Sequence, residues 1–418
     1  MATRVSRRDF LGSSALAAGL LIVPRHVLGG PGETPPSQKL GGALIGCGGR
    51  GPGTFGEMSR MHGRPKEVKA PISVEKLAEC DVRFLDKADN KRYYTDFRRV
   101  VERKDIDVVA IGTPPHWHAL IAIAAMEAGK DVLSEKPMTR FIAEGRAVVT
   151  AAHRYGRIFQ VGTFGRYGDS QQKENIRRHK LFMSGLVKET DMVVIRRGGF
   201  KVKEWSGKVN LQPQPVPKNL DWDMYCGPSP LRPYHRHRTG GTHRGYWDYE
   251  GGGLADMGQH HLDALHWVYG RDTTSPVAVD VYAPPAHPEC CGLWGWVELQ
   301  YADGFTLVLE SGEWGKPYDR KQQKGISVDS LDAEIKSKVA ELPDPAPLVP
   351  FAEAVITRKQ GEGNDPESFH RTVSVLHLAN IAIRVGRKFR YDPVKEQIVG
   401  DDEANRLVNQ PMRAPWHL

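Results

Sequence analysis

The sequence predicts an α/β protein: an N-terminal doubly wound parallel sheet, then an α+β domain with a large, open, mostly antiparallel sheet. Three observations predict it. Short apolar runs alternate with helical patterns from residue 43 to 161. A Gly-x-Gly-x-x-Gly pattern, Gly46 to Gly51, follows the first of these runs. Past residue 190 the strands lengthen and take up a two-residue alternation. The 418 residues leave room for two domains of this kind at roughly 150–200 residues each.

The first strand, Ala43-Leu44-Ile45, runs into Gly46-Cys47-Gly48-Gly49-Arg50-Gly51. In a dinucleotide-binding turn the first glycine permits the tight bend and the second lets the backbone approach a pyrophosphate. The third lets a helix pack closely, its N-terminus toward the phosphates. A second strand over 73–80 ends at Asp81, and an acid there can bind the ribose hydroxyls of NAD. Asp86 is the alternative, because Asp81 lies farther past Gly51 than the usual ~20 residues. Ile106–Ile111 is almost wholly apolar, as a strand covered on both faces is. It delivers Thr113, Pro114, His116 and His118 to the carboxyl edge, where open α/β sheets bind ligands. A helix over 119–128 stops at Gly129, and a strand over 131–134 delivers Glu135-Lys136-Pro137. A helix up to Tyr155 stops at Gly156, and the strand 158–161 carries Gln160. These elements make a Rossmann-type nucleotide domain over 40–165. The stretches 51–81 and 81–105 lack the pattern of a full crossover helix.

In the second domain, 166–385, strands are expected over 192–196, 277–282, 296–301 and 305–310, with Ala302-Asp303-Gly304 as a hairpin turn. Segment 313–350 is polar and shows no period. A helix over 369–385 stops at Gly386, and the tail 386–418 packs back on the body.

Two places can carry chemistry. Lys136, fixed by the proline after it, stands at the edge of the cofactor crevice and can bond a substrate hydroxyl or move its proton. The run Gly251-Gly252-Gly253-Leu254-Ala255-Asp256 leads into a helix over 255–269. There Leu254, Met257, His261, Leu265 and Val268 form a stripe that packs on the sheet. Asp256, His260, Asp263 and Trp267 form a second stripe, facing a cleft or solvent. An Asp one turn from a His can fix its tautomer and support the imidazolium, which builds a general base; a merely solvated polar stripe has the same pattern. Tyr246 and Trp247 suit stacking on a sugar ring and suit an inter-domain core nearly as well.

Composition excludes other classes. The net charge of +8 includes +3 from the first thirty residues, and no dense basic patch with interleaved aromatics marks a nucleic-acid binder. The five cysteines are odd in number and lack a C-x-x-C, so neither a disulfide framework nor a zinc site is expected. His235, His237, His243, His260 and His261 show no recognised metal-ligand spacing. At the N-terminus, Arg7-Arg8 precedes a short apolar run too brief to span a bilayer. This resembles a twin-arginine export signal over 1–29, followed by a linker over 30–39. Cleavage near Gly30 would leave no membrane span, in a periplasmic or extracellular protein that folds around its cofactor before export.

As a set, these motifs resemble the Gfo/Idh/MocA family of glucose–fructose oxidoreductase and inositol dehydrogenase. They are the twin-arginine start, Gly46-x-Gly48-x-x-Gly51, Thr113-Pro114-x-His116-x-His118, Glu135-Lys136-Pro137 and Gln160-x-Gly162-Thr163. To these add Leu220-Asp221-Trp222-Asp223, Asp256-x-Gly258-x-His260-x-x-Asp263 and Asp401-Asp402-Glu403-Ala404-Asn405. The resemblance implies NAD, with NADP as the alternative, held tightly between the domains by Gly46, Gly48, Gly51, Asp81, Thr113, Pro114, His116, His118, Glu135, Lys136 and Gln160. It implies Lys136 and His260 as the catalytic pair with Asp256 in support. A carbohydrate or polyol would lie against Lys136, Arg166, Tyr246, Trp247, Asp256 and His260, and subunits would pair through the open sheet face as dimers or tetramers. The implied activity is oxidation of a sugar, glycoside or polyol hydroxyl, with hydride passing from its carbon to the nicotinamide while the base takes the hydroxyl proton. The alternatives are a redox-neutral glycosidase, with Tyr246 or His243 as extra acid/base, and a sugar-binding protein without turnover.

Overall fold

Val108–Ile111 is buried along its whole length, and such a strand is stable only with both faces covered. The computed structural model describes residues 38–187 and 193–418. The signal 1–29, most of the linker and Met192 lie outside the described residues. The first sheet consists of β1 (Lys39–Ile45), β2 (Ser73–Cys80), β3 (Tyr93–Tyr94), β4 (Val108–Ile111), β5 (Asp131–Ser134) and β6 (Phe159–Val161). All pairings are parallel, in the order β3-β2-β1-β4-β5-β6 of a doubly wound Rossmann sheet. Its helices are α1 (Gly51–Glu57), α2 (Phe97–Val101), α3 (His118–Glu127) and α4 (Ile142–Tyr155). Gly129 and Gly156, at φ of +82° and +59°, end α3 and α4 in the left-handed region that glycine tolerates.

The second domain holds α5 (Gly165–Asp169), α6 (Lys173–Met183), β7 (Val194–Arg197), α7 (Trp222–Cys226), α8 (Gly252–Val268) and β8 (Ala278–Tyr282). There follow β9 (Trp296–Gln300), β10 (Thr306–Glu310), α9 (Ala333–Glu341), α10 (Phe351–Thr357), α11 (Pro366–Val385), β11 (Phe389–Asp392), β12 (Gln397–Val399) and α12 (Asp402–Asn405). Its sheet runs β12-β11-β8-β9-β10-β7, antiparallel except where β10 meets β7. Alternation sorts its residues. Val279, Val297, Leu299, Leu307 and Leu309 pack under α8 and α11, while Val194, Trp296 and Val308 point to the opposite face.

That opposite face is not bare. Residues 314–324 cross it: Tyr318 is buried against Trp296, the Arg320 guanidinium lies 4.5 Å from the Trp296 ring centre, and Lys321 Nζ reaches Glu298 at 3.0 Å.

The truncated crossovers have a physical counterpart. α1 is seven residues long, too short to cover Leu44, Val108, Ala110 and Leu133 on its side of the first sheet. The chain covers them with α10, which returns from the second domain and inserts Phe351, Ala354 and Val355. Burial of Phe351 and Val355 contributes about 1.5–3 kcal/mol each. α11 then joins the two cores, with Phe369 and Val373 in the first and Leu376 to Ile383 in the second. Asp365 caps it by accepting from the Glu367 and Ser368 amides, Pro366 opens it and Gly386 closes it. It crosses α4 at Gly145, where a Cβ would strike the His370 ring. The C-terminal segment settles on the first domain, where Trp416 meets Trp117 edge-on at 4.8 Å.

Candidate active site

The glycine turn is built by contacts that leave no room for side chains. Gly46, just past β1, has φ +88°, and a Cβ there would press on the Thr113 amide. A Cβ on Gly51 would lie 2.0 Å from the Gly46 carbonyl oxygen. The loop is thus locked against the end of β4, with α1 rising from it. Thr113 Oγ1 is buried beside it with no partner among the described residues. A glycine cradle and an orphaned hydroxyl at the carboxyl edge of a Rossmann sheet fit a dinucleotide. Gly51→Ala is therefore expected to strain the turn by about 1–3 kcal/mol. Nucleotide released by denaturing the purified variant should fall well below one per chain.

Asp81 stands at the end of β2, facing the turn: Cys47 N–H donates to its Oδ2 at 2.8 Å. Arg83 folds back on the same carboxylate through its amide, Nε and Nη2 at 2.8–3.0 Å. Burial works to raise the Asp81 carboxyl, but Arg83 outweighs it and holds the group below the usual range. Asp86 is exposed, so of the two candidates Asp81 is the acid at the crevice.

The other expected cofactor contacts divide. Glu135 reaches the turn: its Oε1 accepts from Thr54 Oγ1 at 2.5 Å and Arg50 Nε at 3.2 Å. Pro114 leads from Thr113 into a short 3₁₀ turn, Pro115–Trp117. His116 is corrected, because its ring is buried with Nε2 2.8 Å from the Tyr225 carbonyl, and burial pushes it down to about 3. His118 is also buried. Its ring nitrogens lie 2.8 Å from the Thr113 and Pro137 carbonyls, so it ties the Thr113 loop to the Lys136 loop instead of facing a ligand. Gln160 is corrected too: its Nε2 donates to the Val349 carbonyl at 2.9 Å, anchoring the segment that enters α10.

The catalytic candidates meet where β5 ends beside α8. The triplet Gly251–Gly253 lets α8 start hard against its neighbours. A Cβ on Gly253 would overlap the Phe200 carbonyl, and one on Gly251 the Asn380 amide. Lys136 Nζ lies 2.6 Å from Asp256 Oδ1 and 2.8 Å from the Asp256 carbonyl oxygen. Arg244 Nε lies 2.7 Å from the same Oδ1, an ion pair without an aligned N–H. Burial acts to raise the Asp256 carboxyl, but the two cations keep it below the usual range. One turn on, His260 is exposed at the cleft, and no hydrogen bond engages its ring among the described residues. Partial enclosure, then the Lys136 charge, push it down to about 4, with Asp256 pulling the other way. The expected Asp256–His260 hydrogen bond is absent: the carboxylate serves Lys136 and Arg244.

Three further expectations are corrected. The Arg166 side chain has no exposure and is locked between Asp263 and Asp272, at 3.0 and 2.9 Å. It cannot contact a substrate, and Asp263 is core, not cleft. Tyr246 and Trp247 are buried: Tyr246 Oη pairs with His237 Nδ1 at 2.7 Å, and Trp247 Nε1 donates to the His287 carbonyl at 2.9 Å. Trp267, from the proposed polar stripe, is buried and stacked on His179 at 4.3 Å.

Sequence reasoning missed Arg244, Trp205 and Glu250. Arg244 comes from the 3₁₀ stretch Gly240–Gly245, its guanidinium 4.7 Å from the Trp205 ring centre. Glu250 is buried, with His243 Nε2 at 3.1 Å and Arg244 at 4.0 Å. No spacing rule links these residues; the loop before α8 brings them together. Among the described residues no group of three or more His, Cys, Asp or Glu could hold a metal, and no helix is long and apolar enough to cross a membrane.

Comparison with known proteins adds the following. Residues 41–163 match the family model described as oxidoreductase family, NAD-binding Rossmann fold. Residues 172–418, more than half the chain, match oxidoreductase family, C-terminal alpha/beta domain. Levoglucosan dehydrogenase of Pseudarthrobacter phenanthrenivorans is 49% identical over 86 residues, 21% of each chain. A glycosyl hydrolase family 109 protein of Shewanella pealeana is 27% identical over 179 residues, 36% of this chain and 38% of that one. Inositol 2-dehydrogenase of Salmonella typhimurium is 35% identical over 102 residues, 22% of this chain and 30% of that one. The matched segments thus span about a fifth to two fifths of these relatives. Among solved structures, the WlbA dehydrogenase of Bordetella pertussis in complex with NADH and UDP-GlcNAcA has a TM-score of 0.51 at 16% identity. The likeness covers 85% of this chain and 99% of that chain, and shows the fold.

Proposed function

The chain belongs to the Gfo/Idh/MocA oxidoreductase family, and from that premise we propose that it oxidises a hydroxyl of a sugar, glycoside or polyol with a tightly held nicotinamide nucleotide. The observation that carries this is the convergence of Lys136, held on Asp256 where β5 ends, with His260, one turn farther along α8 and open to the cleft. The relatives named for levoglucosan and inositol support a polyhydroxylated ring as substrate.

The glycine turn, Thr113 and Asp81 would hold the nucleotide. NAD is preferred, since Asp81 suits ribose hydroxyls; Arg83 beside it makes NADP the alternative. When bound, the nicotinamide accepts or returns the hydride. Lys136 Nζ donates to the Asp256 carbonyl and carboxylate and has one N–H left to hold the substrate oxygen. His260, neutral above about pH 4, takes the hydroxyl proton. Because the base must be unprotonated, kcat/KM for oxidation should rise with pH through about 4 and be flat from there to neutrality. An acid limb that persists unchanged in His260→Asn would place the base elsewhere.

Export by the twin-arginine route is part of the proposal, because a protein leaving the cytoplasm must carry its nucleotide with it. The test is to denature the purified protein and assay the supernatant by absorbance and mass, which also separates NAD from NADP. Stoichiometric nucleotide supports the reading. No nucleotide, and none taken up on addition, would sink it.

One feature favours a redox-neutral glycosidase as a second reading: the His243–Glu250 pair stands next to Arg244, apart from His260, and could serve as a further acid/base. There the carbon is oxidised, the neighbouring C–H loses its proton, the aglycone leaves, water adds and the carbon is reduced again. Turnover in D₂O would place deuterium on the carbon next to the oxidised one. Simple oxidation would place none there.

A further inference from the structure

The charge that holds the site in place comes from outside the expected catalytic set. Asp256 Oδ1 is gripped from two sides, by Lys136 Nζ at 2.6 Å and by Arg244 Nε at 2.7 Å. Without Arg244, one carboxylate would face one ammonium at a cleft edge. With it, Asp256 is a bridge between two cations and has little freedom to swing toward His260.

Arg244 is itself constrained. Its guanidinium stacks over Trp205, whose Nε1 is buried without a partner among the described residues. Behind it, Glu250 is buried with Oε2 4.0 Å from Arg244 Nε and 3.1 Å from His243 Nε2. A planar guanidinium can stack on an indole while its charge stays beside a carboxylate, which a compact ammonium does less well.

We propose that Arg244 is a positioning residue: stacked on Trp205 and backed by Glu250, it holds Asp256 Oδ1 as a second cation beside Lys136 and so fixes where the Lys136 ammonium stands. This rests on the reading of Lys136 and His260 as the catalytic pair. It adds a structural requirement: the stretch Gly240–Gly245 must present an Arg to Trp205, which comes from the segment after β7, whatever sugar is bound.

The charge state of His260 reports on the clamp. The groups that face His260 are Lys136 from the end of β5, Asp256 and His261 from α8, and Arg50 from the glycine turn. Arg244 acts on it through Asp256. Removing Arg244 takes away a positive charge and frees the negative one, and both changes favour the imidazolium.

The experiment is a histidine ¹³C-NMR titration of the full-length protein with its nucleotide, the His260 signal assigned by its loss in His260→Asn. Wild type is expected to keep His260 neutral down to about pH 5. In Arg244→Gln the midpoint should rise by about one pH unit. An unchanged midpoint in folded Arg244→Gln overturns the proposal. If that variant does not fold, Arg244→Lys decides. Its ammonium cannot both stack and reach, so the midpoint should again exceed wild type, and a wild-type midpoint overturns the proposal. A wild-type His260 that titrates at about 6.5 instead overturns this inference and leaves the base assignment standing, whereas full activity in His260→Asn overturns that assignment.

Discussion

Lys136→Ala is expected to lower turnover by about three orders of magnitude while the protein keeps its nucleotide, with His260→Ala close behind. The two effects separate because the groups sit in different places. The cradle is made of backbone at Gly46, Gly48 and Gly51 with Thr113 beside it, whereas Lys136 Nζ points away toward Asp256. Loss of Lys136 removes the donor to the substrate oxygen and also one of the charges that keeps His260 neutral. The residual activity of Lys136→Ala should therefore show its acid limb at higher pH than wild type. His260→Ala should lose that limb altogether. The measurement pairs nucleotide content per chain with single-turnover reduction by a ring-polyol panel. Full activity in both variants would remove the assignment.

Arg166→Met is expected to cost about 3–5 kcal/mol of stability, with no direct effect on chemistry. Arg166 is the counter-charge for two buried carboxylates, Asp263 and Asp272, and also donates to the Gly363 carbonyl. Two carboxylates share one cation. Burial, opposed by Arg166 and aided by the Asp263 charge, pushes Asp272 up to about 7. The sign for stability follows. An acid whose folded value lies above its unfolded one holds a proton that the unfolded chain has released, so its contribution declines as pH rises from about 4 to about 7. Arg166→Met should steepen that decline, since it removes the cation that makes ionisation tolerable. Denaturant midpoints at pH 5 and pH 8 would show it. Equal losses at both values would mean that Arg166 contributes packing alone.

The parts legible in the sequence were those with a local signature. Val108–Ile111 is strand-like in any context, and Gly46, Gly48 and Gly51 are spaced by the geometry of one turn. The places of Lys136, at a strand end, and His260, in the helix after a glycine triplet, were legible for the same reason. What failed depended on partners far along the chain. Arg166 has the composition of a ligand contact, and only the arrival of Asp263 and Asp272 makes it core. Asp256 was assigned to His260 because the helical repeat puts them one turn apart. A carboxylate goes to the stronger charges, and those come from β5 and from the loop at 244. Tyr246 and Trp247 were ambiguous by nature, and burial settled them as core. Segment 313–350 shows no single pattern because it serves several hosts: residues 314–324 lie on one face of the second sheet, Val328, Val339 and Leu348 enter the second domain's main core around the short α9, and Val349 leads onto the first sheet.

α10 has a consequence for how the protein is made. Half of the nucleotide domain's sheet is roofed by residues 351–357, which leave the ribosome long after that sheet has been synthesised. Until then Leu44, Val108, Ala110 and Leu133 have no lid, and a chain cut after residue 165 would display them permanently. The first domain thus cannot complete this face of its core from its own residues alone. That face of the first domain's core is therefore completed only once residues 351–357 have been made.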